Sequence, residues 1–420
     1  MPMKKKPVTG MKDILPGEME IRNYVLGKVR EVYSLFGFTQ IEAPVVEHIE
    51  NLSSDQGGEN EKLIFRILKR GEKLKLKEAE SEADLTDSGL RYDLTVPLSR
   101  FYANNSGELP QPFMALHTGS VFRADRPQRG RFRQFVQCDI DILGEESSLA
   151  EIELILATTS LLKELDFKDY TVRISDRRLL TAMASYSGFE KEKYSEAFII
   201  LDKLDKIGNE GVKEELYKAG FAPESVEKCM GLFKEGDGSL RSLEKMAEAL
   251  GEHLSPEVVS SLGTIINSVE AAGNGSFSIK FDPVLVRGMS YYTGTIFEIT
   301  IAEFGSSIAG GGRYDEMIGK FSGNPTPACG FSIGFERIIT MLMERDFKVP
   351  SRGRRLAFLL DKNLSPDQLA EAVKEAMALR QEGNQVLLAK MKKNKKFQKD
   401  SLESQGYTEI RDFYADTYKK

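Results

Sequence analysis

The pattern of apolar and polar positions divides the chain into elements with two different periods. Residues 13–36 repeat apolar side chains at helical spacing and stop at Gly37, which predicts a helix. Residues 113–144 are strand-like around a break at Pro127 and Gly130, which predicts two strands joined by an arginine-rich loop. Further strands are predicted at 38–44, 62–77 (a hairpin around Arg70-Gly71), 170–174, 291–301, 328–333, 356–360 and 385–389.

The composition changes twice along the chain, and these changes predict its domains. Residues 178–275 carry a Lys- and Glu-rich helical pattern with short Gly and Pro breaks, which predicts a helical insertion. A basic linker at 350–355 precedes a strand–helix–strand pattern in which Ser365-Pro366 caps the helix. We therefore expect an α+β fold of a main domain in two pieces, the insertion and a short α/β domain, with bounds 1–177, 178–275, 276–347 and 351–420.

The composition excludes several classes of protein. With 420 residues, 41% of them hydrophobic and 29% charged, the chain can bury a large core and is not a disordered protein. No apolar run approaches the roughly 18 residues of a membrane-spanning helix, and no secretory signal is expected. Three cysteines and three histidines without a CxxC predict neither disulfides nor a zinc site. We expect a cytoplasmic protein with no membrane partner.

Five arginines fall within eleven residues, and Asp125 is the only acid among them. Side chains two apart on a strand share a face, so Arg131 and Arg133 would repel each other unless an anion lay between them. A guanidinium group binds phosphate oxygens in a bidentate manner and keeps its charge. A solvated basic loop is the alternative, and the pattern alone leaves both open. The five are Arg123, Arg126, Arg129, Arg131 and Arg133.

Two other segments have polar side chains in arrangements suited to a ligand. Strand alternation places Gln137, Asp139 and Asp141 on one face, which is either a ligand site or one wet face of a strand. Residues 287–294 place an arginine and two tyrosines between glycines, where the backbone can approach a ligand closely. Taken alone, that segment is better interpreted as an ordinary turn before a strand.

Residues 330–334 match the nucleophile-elbow pattern of hydrolases, with Ser332 at its centre. That fold needs a histidine later in the chain, and all three histidines come earlier, so a hydrolase is disfavoured. The chain also has no Walker lysine after the glycines at 310–312 and no GxGxxG, which excludes the P-loop and dinucleotide-binding interpretations. The histidines are His48, His117 and His253.

Taken together, these segments resemble the histidyl-tRNA synthetase family of class II aminoacyl-tRNA synthetases. The resemblance implies a class II catalytic domain, an antiparallel sheet flanked by helices, interrupted by the helical insertion and followed by a truncated anticodon-binding-like domain at 351–420. It also implies a homodimer. The matching segments are the opening 9–16, motif 1 at 38–47, motif 2 at 122–135, motif 3 at 330–337, the histidine signatures 285–294 and 311–315, and residues 90–95 and 137–141.

The resemblance implies that ATP and histidine form histidyl-adenylate and that the 3′ end of tRNA(His) then takes the histidyl group. The histidine carboxylate is already ionised, so the site works by positioning and charge stabilisation rather than through a general base. Mg²⁺ would bridge the phosphates, and its protein ligands are unknown. By the same resemblance the catalytic residues are Arg123 and Arg287 at the α-phosphate and Arg337 at the γ-phosphate.

The resemblance also assigns the remaining binding residues. Phe135 stacks on adenine, and Asp141 and Tyr292 hold the two imidazole nitrogens, one of which donates a hydrogen bond while the other accepts one. Such a site penalises an apolar competitor because its buried polar groups would be left unpaired. The ATP-binding set is Arg123, Asp125, Arg131, Arg133, Phe135 and Arg337. The histidine-binding set is Asp93, Thr95, Gln137, Asp141, Arg287, Tyr292 and Tyr314.

Two departures from the family pattern keep an alternative open. Ser290 replaces an acid of the signature, and the C-terminal domain stops near its third strand. The alternative is the non-catalytic regulatory subunit of ATP phosphoribosyltransferase, which resembles the synthetase and would sense histidine. The net charge of −6 argues weakly against a nucleic-acid partner, but residues 351–420 hold 15 basic and 10 acidic side chains. We therefore expect any tRNA contact at this tail and at the arginine cluster.

Overall fold

A computed structural model describes residues 3–53, 62–126, 132–233, 237–286, 291–350 and 353–415. The helices are α1 Pro16–Leu35, α2 Ile49–Leu52, α3 Glu82–Leu85, α4 Thr95–Asn105, α5 Leu149–Glu164, α6 Arg177–Ser187, α7 Tyr194–Leu201, α8 Leu204–Lys218, α9 Pro223–Gly231, α10 Leu240–Leu250, α11 Pro256–Gly273, α12 Asp315–Ser322, α13 Phe335–Glu344, α14 Pro366–Gln381 and α15 Lys395–Ser404. The strands are β1 Thr39–Ile41, β2 Val46–His48, β3 Phe65–Leu68, β4 Thr86–Leu90, β5 Phe113–Phe122, β6 Gln134–Leu143, β7 Tyr170–Asp176, β8 Ser278–Phe281, β9 Thr295–Ile301, β10 Ser306–Arg313, β11 Ala328–Ile333, β12 Arg355–Leu360, β13 Gln385–Lys390 and β14 Glu409–Phe413.

The first long helix ends near Gly37 as the sequence predicts, and it begins at Pro16, three residues later than predicted. Pro16 occupies its first turn, where a fixed φ suits the helix and no N–H is needed. Gly37 follows its end with a φ of +89°, a conformation that glycine adopts without strain. The apolar face of α1 packs Val25, Val29 and Val32 into the main hydrophobic core.

The main sheet has eight strands within the described residues, in the order β1–β5–β6–β11–β10–β9–β7–β8. The two outer pairs, β1–β5 and β7–β8, are parallel, and the inner pairs are antiparallel. The predicted class, an α+β fold with a largely antiparallel sheet flanked by helices, is therefore confirmed. A second, three-stranded sheet in the order β2–β4–β3 carries the residues that lead into α4.

Strand β6 has one apolar face toward the core and one polar face. Cys138, Ile140 and Ile142 are buried in the main core with α1 and α5. Alternation turns Asp139 and Asp141 to the opposite face, as the sequence predicts. Helices therefore cover one face of the sheet, and the other face is free to hold polar side chains.

One predicted hairpin is wrong. Strand β3 lies at Phe65–Leu68, but its antiparallel partner is β4, at Thr86–Leu90, and not residues 74–76. The lysines that alternate with Leu74 and Leu76 stay in solvent, and Leu76 is 66% exposed, so this segment has no face to bury as a strand. The predicted strand at 291–301 also starts later, because β9 begins at Thr295 and the paired tyrosines precede it.

The chain divides into two compact units, Met1–Phe347 and Lys348–Lys420. Helices α6 to α11 occupy most of the predicted insertion, and their apolar residues belong to the same core as the sheet. In the second unit, β12 lies between β13 and β14 in a parallel sheet, and Ser365 caps α14 by accepting a hydrogen bond from the Gln368 backbone N–H. None of the described helices combines the length and apolar character needed to cross a membrane.

Candidate active site

A cavity of about 1080 Å³ lies on the polar face of the main sheet. It is lined by strands β6, β9, β10 and β11 and by the segments that precede α4 and α13. Most of the predicted site residues meet there, although they come from distant parts of the chain. Those lining the cavity are Asp93, Thr95, Arg123, Asp125, Phe135, Gln137, Asp141, Tyr292, Tyr314 and Arg337.

Three predicted residues are not placed in this cavity by the described structure. Arg131 and Arg287 lie outside the described residues, as does Ser290. Arg133 is described but does not line the cavity: its Nε donates to the Asp125 carbonyl at 3.0 Å and its NH1 donates to the Thr9 carbonyl at 3.4 Å. Strand β6 begins at Gln134, so Arg133 lies just before it.

One end of the cavity is lined by buried carboxylates. Asp141 is 3% exposed, and its Oδ1 accepts a hydrogen bond of 2.5 Å from the Tyr314 hydroxyl. Burial, together with the neighbouring Asp139, raises the pKa of Asp141 well above its ordinary value. The contact requires glycine at position 330, because a Cβ there would lie 2.0 Å from Asp141 Oδ1. A glycine of the apparent nucleophile elbow therefore makes room for the acid.

Asp93 lies just before helix α4 at the same end. Its Oδ1 accepts a hydrogen bond from the Val96 N–H at 3.2 Å, where a helix N-terminus favours negative charge. Its Oδ2 is buried and has no hydrogen-bond partner among the described residues. Burial raises the pKa of Asp93 to about 6, and the positive charge of Arg123 opposes this shift. Asp93 is thus an acceptor with one oxygen left for a donor.

A third acid, Asp139, completes this end and was not among the predicted ligands. Gln137 Nε2 donates to Asp139 Oδ2 at 3.2 Å and to the Ser332 hydroxyl at 3.4 Å, while Gln137 Oε1 has no partner in the described chain. Burial raises the pKa of Asp139 to about 7. Strand alternation had placed Asp139 on this face, and Ser332 lies opposite it in the β6–β11 register. Ser332 lines the cavity. No histidine among the described residues lines it, so Ser332 has no histidine beside it to act as the base of a hydrolase.

Three tyrosines form an aromatic wall beside the acids. The ring of Tyr291 lies 4.8 Å from that of Tyr292 and 6.0 Å from that of Tyr314, measured between centroids. Gly312 allows Tyr292 to approach, since a Cβ at that position would lie 2.9 Å from the Tyr292 ring. Hydroxyl groups on flat apolar rings can bind a planar, polar ring such as imidazole.

Two guanidinium groups also line the cavity, and the positive charge of Arg123 acts on the pKa of both Asp93 and Asp139. Arg123 donates from Nε to the Tyr92 carbonyl at 2.9 Å, and its guanidinium carbon lies 5.2 Å from the centroid of the Phe135 ring. Arg337 comes from the first turn of α13, and its NH1 donates to the Ser307 carbonyl. Backbone carbonyls thus orient both side chains, and guanidinium groups fixed in this way are suited to polyanionic phosphate groups.

Comparisons with known proteins identify the family of the chain. The sequence model of the family described as "Histidyl-tRNA synthetase" matches residues 10–338. A histidine–tRNA ligase of Leifsonia xyli is 42% identical over 420 residues, covering 98% of this chain and 96% of its own length. A histidine–tRNA ligase of Christiangramia forsetii is 34% identical over 385 residues, covering 89% of this chain and 84% of its own length.

Solved structures give the same result. The histidyl-tRNA synthetase of Nostoc sp. superposes with a TM-score of 0.79 at 30% identity, covering 96% of this chain and 90% of its own. A Bacillus halodurans structure titled as an ATP phosphoribosyltransferase regulatory subunit/histidyl-tRNA synthetase superposes with a TM-score of 0.77 at 21% identity. The match covers 98% of this chain and 99% of that chain, and at this identity it shows only that the fold is shared. With the family match and the identity to its relatives, the chain belongs to the histidyl-tRNA synthetase family.

Proposed function

We propose that this protein is a histidine–tRNA ligase, which activates histidine with ATP and transfers the histidyl group to the 3′ end of tRNA(His). The observation that carries the proposal is one cavity lined both by guanidinium groups and by buried acids beside tyrosines. The two sets suit a nucleotide and an amino acid with a polar ring. We call the part with Arg123, Phe135 and Arg337 the nucleotide end and the part with Asp93, Asp141 and Tyr292 the amino-acid end. The relatives named as histidine–tRNA ligases support the same reaction.

In the first step the carboxylate of histidine attacks the α-phosphorus of ATP, and the bond to the pyrophosphate oxygen breaks. Arg123 neutralises charge at the α-phosphate, Arg337 binds the γ-phosphate, and Phe135 stacks on adenine. Because the nucleophile is already ionised, the residues act by positioning and charge stabilisation. Arg287 and Arg131 keep the phosphate-binding roles that the family resemblance implies. Asp125, which also lines the cavity, is assigned to the nucleotide end.

The acid-lined end holds the amino acid. Asp141 and the Tyr292 hydroxyl pair with the two imidazole nitrogens, and Tyr314 holds Asp141 in place through its hydroxyl. Asp93, Thr95 and Gln137 receive the α-ammonium group. The free Oδ2 of Asp93 and Oε1 of Gln137 support this assignment, because an ammonium group supplies three N–H donors.

Mg²⁺ enters this proposal with the nucleotide. Among the described residues no group of three or more His, Cys, Asp or Glu side chains is arranged to hold a metal ion by itself. The carboxylates that line the cavity would therefore supply few of the ion's ligands. Mg²⁺ commonly takes most of its ligands from phosphate oxygens and water. Bound in that way, it supplies further charge neutralisation on the triphosphate.

The second step moves the histidyl group from the adenylate to a ribose hydroxyl of the tRNA 3′ end, and AMP leaves. We assign tRNA contact to the basic second unit, in which Lys392, Lys393 and Lys396 are exposed beside Phe397, itself 67% exposed. A homodimer formed through motif 1 and a cytoplasmic location are further parts of the proposal. They rest on the family resemblance and on the sequence, respectively.

Histidine-dependent exchange of pyrophosphate into ATP tests the proposal. The purified protein should catalyse this exchange without tRNA, and the Arg123→Ala variant should catalyse it more slowly by about 10²-fold or more. The alternative function, a histidine-sensing regulatory subunit, predicts histidine binding without exchange. Histidine binding measured by calorimetry alongside exchange therefore separates the two, and binding without exchange would exclude the ligase.

A further inference from the structure

A buried ion pair lies directly behind the aromatic wall of the cavity. Arg313, at the end of β10, donates from Nε and NH2 to the two carboxylate oxygens of Glu151 on α5, each at 2.8 Å. The side chains of Arg313 and Glu151 are 10% and 2% exposed. NH1 and NH2 also donate to the backbone carbonyls of Glu145 and Ser147, each at 3.1 Å, and NH1 lies 3.5 Å from Asp315 Oδ1. The guanidinium is thus fixed from several sides at once.

The backbone of Arg313 connects this anchor to both tyrosine segments. Its carbonyl accepts a hydrogen bond of 2.8 Å from the Thr293 N–H, which directly follows Tyr291 and Tyr292. The next residue along the chain is Tyr314, whose hydroxyl binds Asp141. One side chain therefore fixes the backbone from which the tyrosines facing Asp141 extend.

We propose that Arg313, through its ion pair with Glu151, is a positioning residue for the amino-acid end of the cavity. The proposal rests on the proposed function, because it assigns the pair to the half of the site that receives histidine. Arg313 does not line the cavity, so no substrate contact is assigned to it. It acts by fixing Tyr292 and Tyr314, since small displacements of binding groups lower affinity and rate.

A second buried pair, carried by different contacts, lies at the nucleotide end, where Glu336 itself also lines the cavity. Arg22 of α1 donates from NH1 and NH2 to Glu336 at 2.7 and 2.8 Å. Glu336 Oε1 also accepts a hydrogen bond of 3.1 Å from the Val136 N–H. Glu336 precedes Arg337, and Val136 follows Phe135, so this pair joins the two elements that carry the nucleotide-binding side chains. We infer that it positions them.

The two pairs can be tested against each other with matched variants. Removing one partner of a buried pair leaves an uncompensated charge and threatens folding, so both partners are replaced by apolar residues of similar size. The variants are the double substitutions Arg313→Met with Glu151→Met and Arg22→Met with Glu336→Met. Arg313→Lys and Arg22→Lys retain the charge without the bidentate geometry, and they serve if a double variant fails to fold.

The readout is KM for each substrate in pyrophosphate exchange. The Arg313 and Glu151 variants should raise KM for histidine roughly tenfold and leave KM for ATP within about twofold, a size expected for loss of a residue that orients a ligand-binding group. The Arg22 and Glu336 variants should raise KM for ATP roughly tenfold and leave KM for histidine within about twofold. Equal changes in both KM values would indicate a purely structural role and would overturn the positioning assignment, as would unchanged values in a folded variant.

Histidine binding by equilibrium dialysis separates this proposal from the proposed function. It needs no catalysis, so a wild-type protein that binds histidine without exchange would exclude the ligase yet leave the positioning role testable. Weaker histidine binding in Arg313→Lys than in Arg22→Lys supports the positioning role in either case. Equal binding in the two folded variants contradicts it.

Discussion

The two ends of the cavity solve opposite electrostatic problems with different side chains. At the nucleotide end, Arg123 and Arg337 are oriented by backbone carbonyls and keep permanent positive charge for a ligand that brings several negative charges. At the amino-acid end, Asp93, Asp139 and Asp141 are all nearly fully buried on one face. Burial raises the pKa of all three carboxyl groups, and the positive charge of Arg123 opposes the shift at Asp93 and Asp139.

The chemistry of the two ligands explains why the acids are more deeply buried than the arginines. A phosphate group is bound by charge, which still acts when the arginines are partly solvated. An imidazole is distinguished from other rings by one donor and one acceptor, and this distinction is largest where water cannot replace a missing partner. Substitutions at the two ends should therefore affect different substrates.

The largest effect is expected at the nucleotide end. Arg123→Ala should lower the exchange rate by about 10²-fold or more, because a fixed positive group at the reacting phosphate is lost. Arg133→Ala is the matched control, because Arg133 binds backbone carbonyls and lies outside the cavity lining. Its exchange rate should stay within about threefold of wild type. A comparable loss in both variants would show that Arg133 also binds the nucleotide, as the sequence alone predicted.

The next effect is expected at the amino-acid end. Asp141→Asn should raise KM for histidine by about tenfold to a hundredfold and leave KM for ATP nearly unchanged, since the ring loses a charged partner in a buried site. Tyr314→Phe removes only the hydroxyl that holds Asp141, so it should cost less, roughly threefold to tenfold. Steady-state exchange with each substrate varied in turn measures both. A larger effect on ATP than on histidine would reverse the assignment of the two ends.

A smaller effect should appear in the pH dependence of stability. Asp139 has its pKa raised to about 7 in the folded protein, so the native state binds more protons than the unfolded state between about pH 4 and pH 7. Its contribution to the free energy of unfolding therefore falls as the pH rises through this window. Asp139→Asn removes the contribution, so the variant should gain stability relative to wild type as the pH rises from 5 to 8. A stability difference that is constant with pH, measured by denaturant unfolding, would contradict the raised pKa.

The smallest effect on activation is expected from the second unit. Changing Lys392, Lys393 and Lys396 to Glu should leave exchange unchanged and weaken charging of tRNA, with a shallower dependence on salt, because phosphate contacts are lost. A filter-binding assay and an aminoacylation assay measure this. The matched control places the same charge change on three exposed lysines of the main unit, Lys73, Lys75 and Lys77. Equal loss in both would show that overall charge, not the tail, governs binding.

The sequence predicted those parts of the fold in which local pattern and burial agree. Helix α1 is bounded by Pro16 and Gly37, and β6 alternates between the core and the polar face, so both were predictable. The hairpin at 62–77 failed because alternation also occurs in an exposed segment, and the true partner of β3 lies further along the chain. Pairing between distant segments leaves no local signal.

Most of the site was predictable only through the family motifs. Strand alternation placed Asp139 and Asp141 on one face without assigning either a ligand. Ser332 lay within an apparent hydrolase motif, and only the β6–β11 register shows that it faces Asp139. The anchoring role of Arg313 depends on Glu151, which is 162 residues away. Such a contact becomes visible only in the folded protein.

The division of the cavity between two substrates is tested most directly by a crystal structure with histidine and a non-hydrolysable ATP analogue. The account predicts the imidazole ring between Asp141 and Tyr292, with the ammonium group at Asp93 and Gln137. It predicts the adenine ring on Phe135 and the phosphates at Arg123 and Arg337. An imidazole bound at Phe135, or phosphates bound beside Asp141, would contradict it.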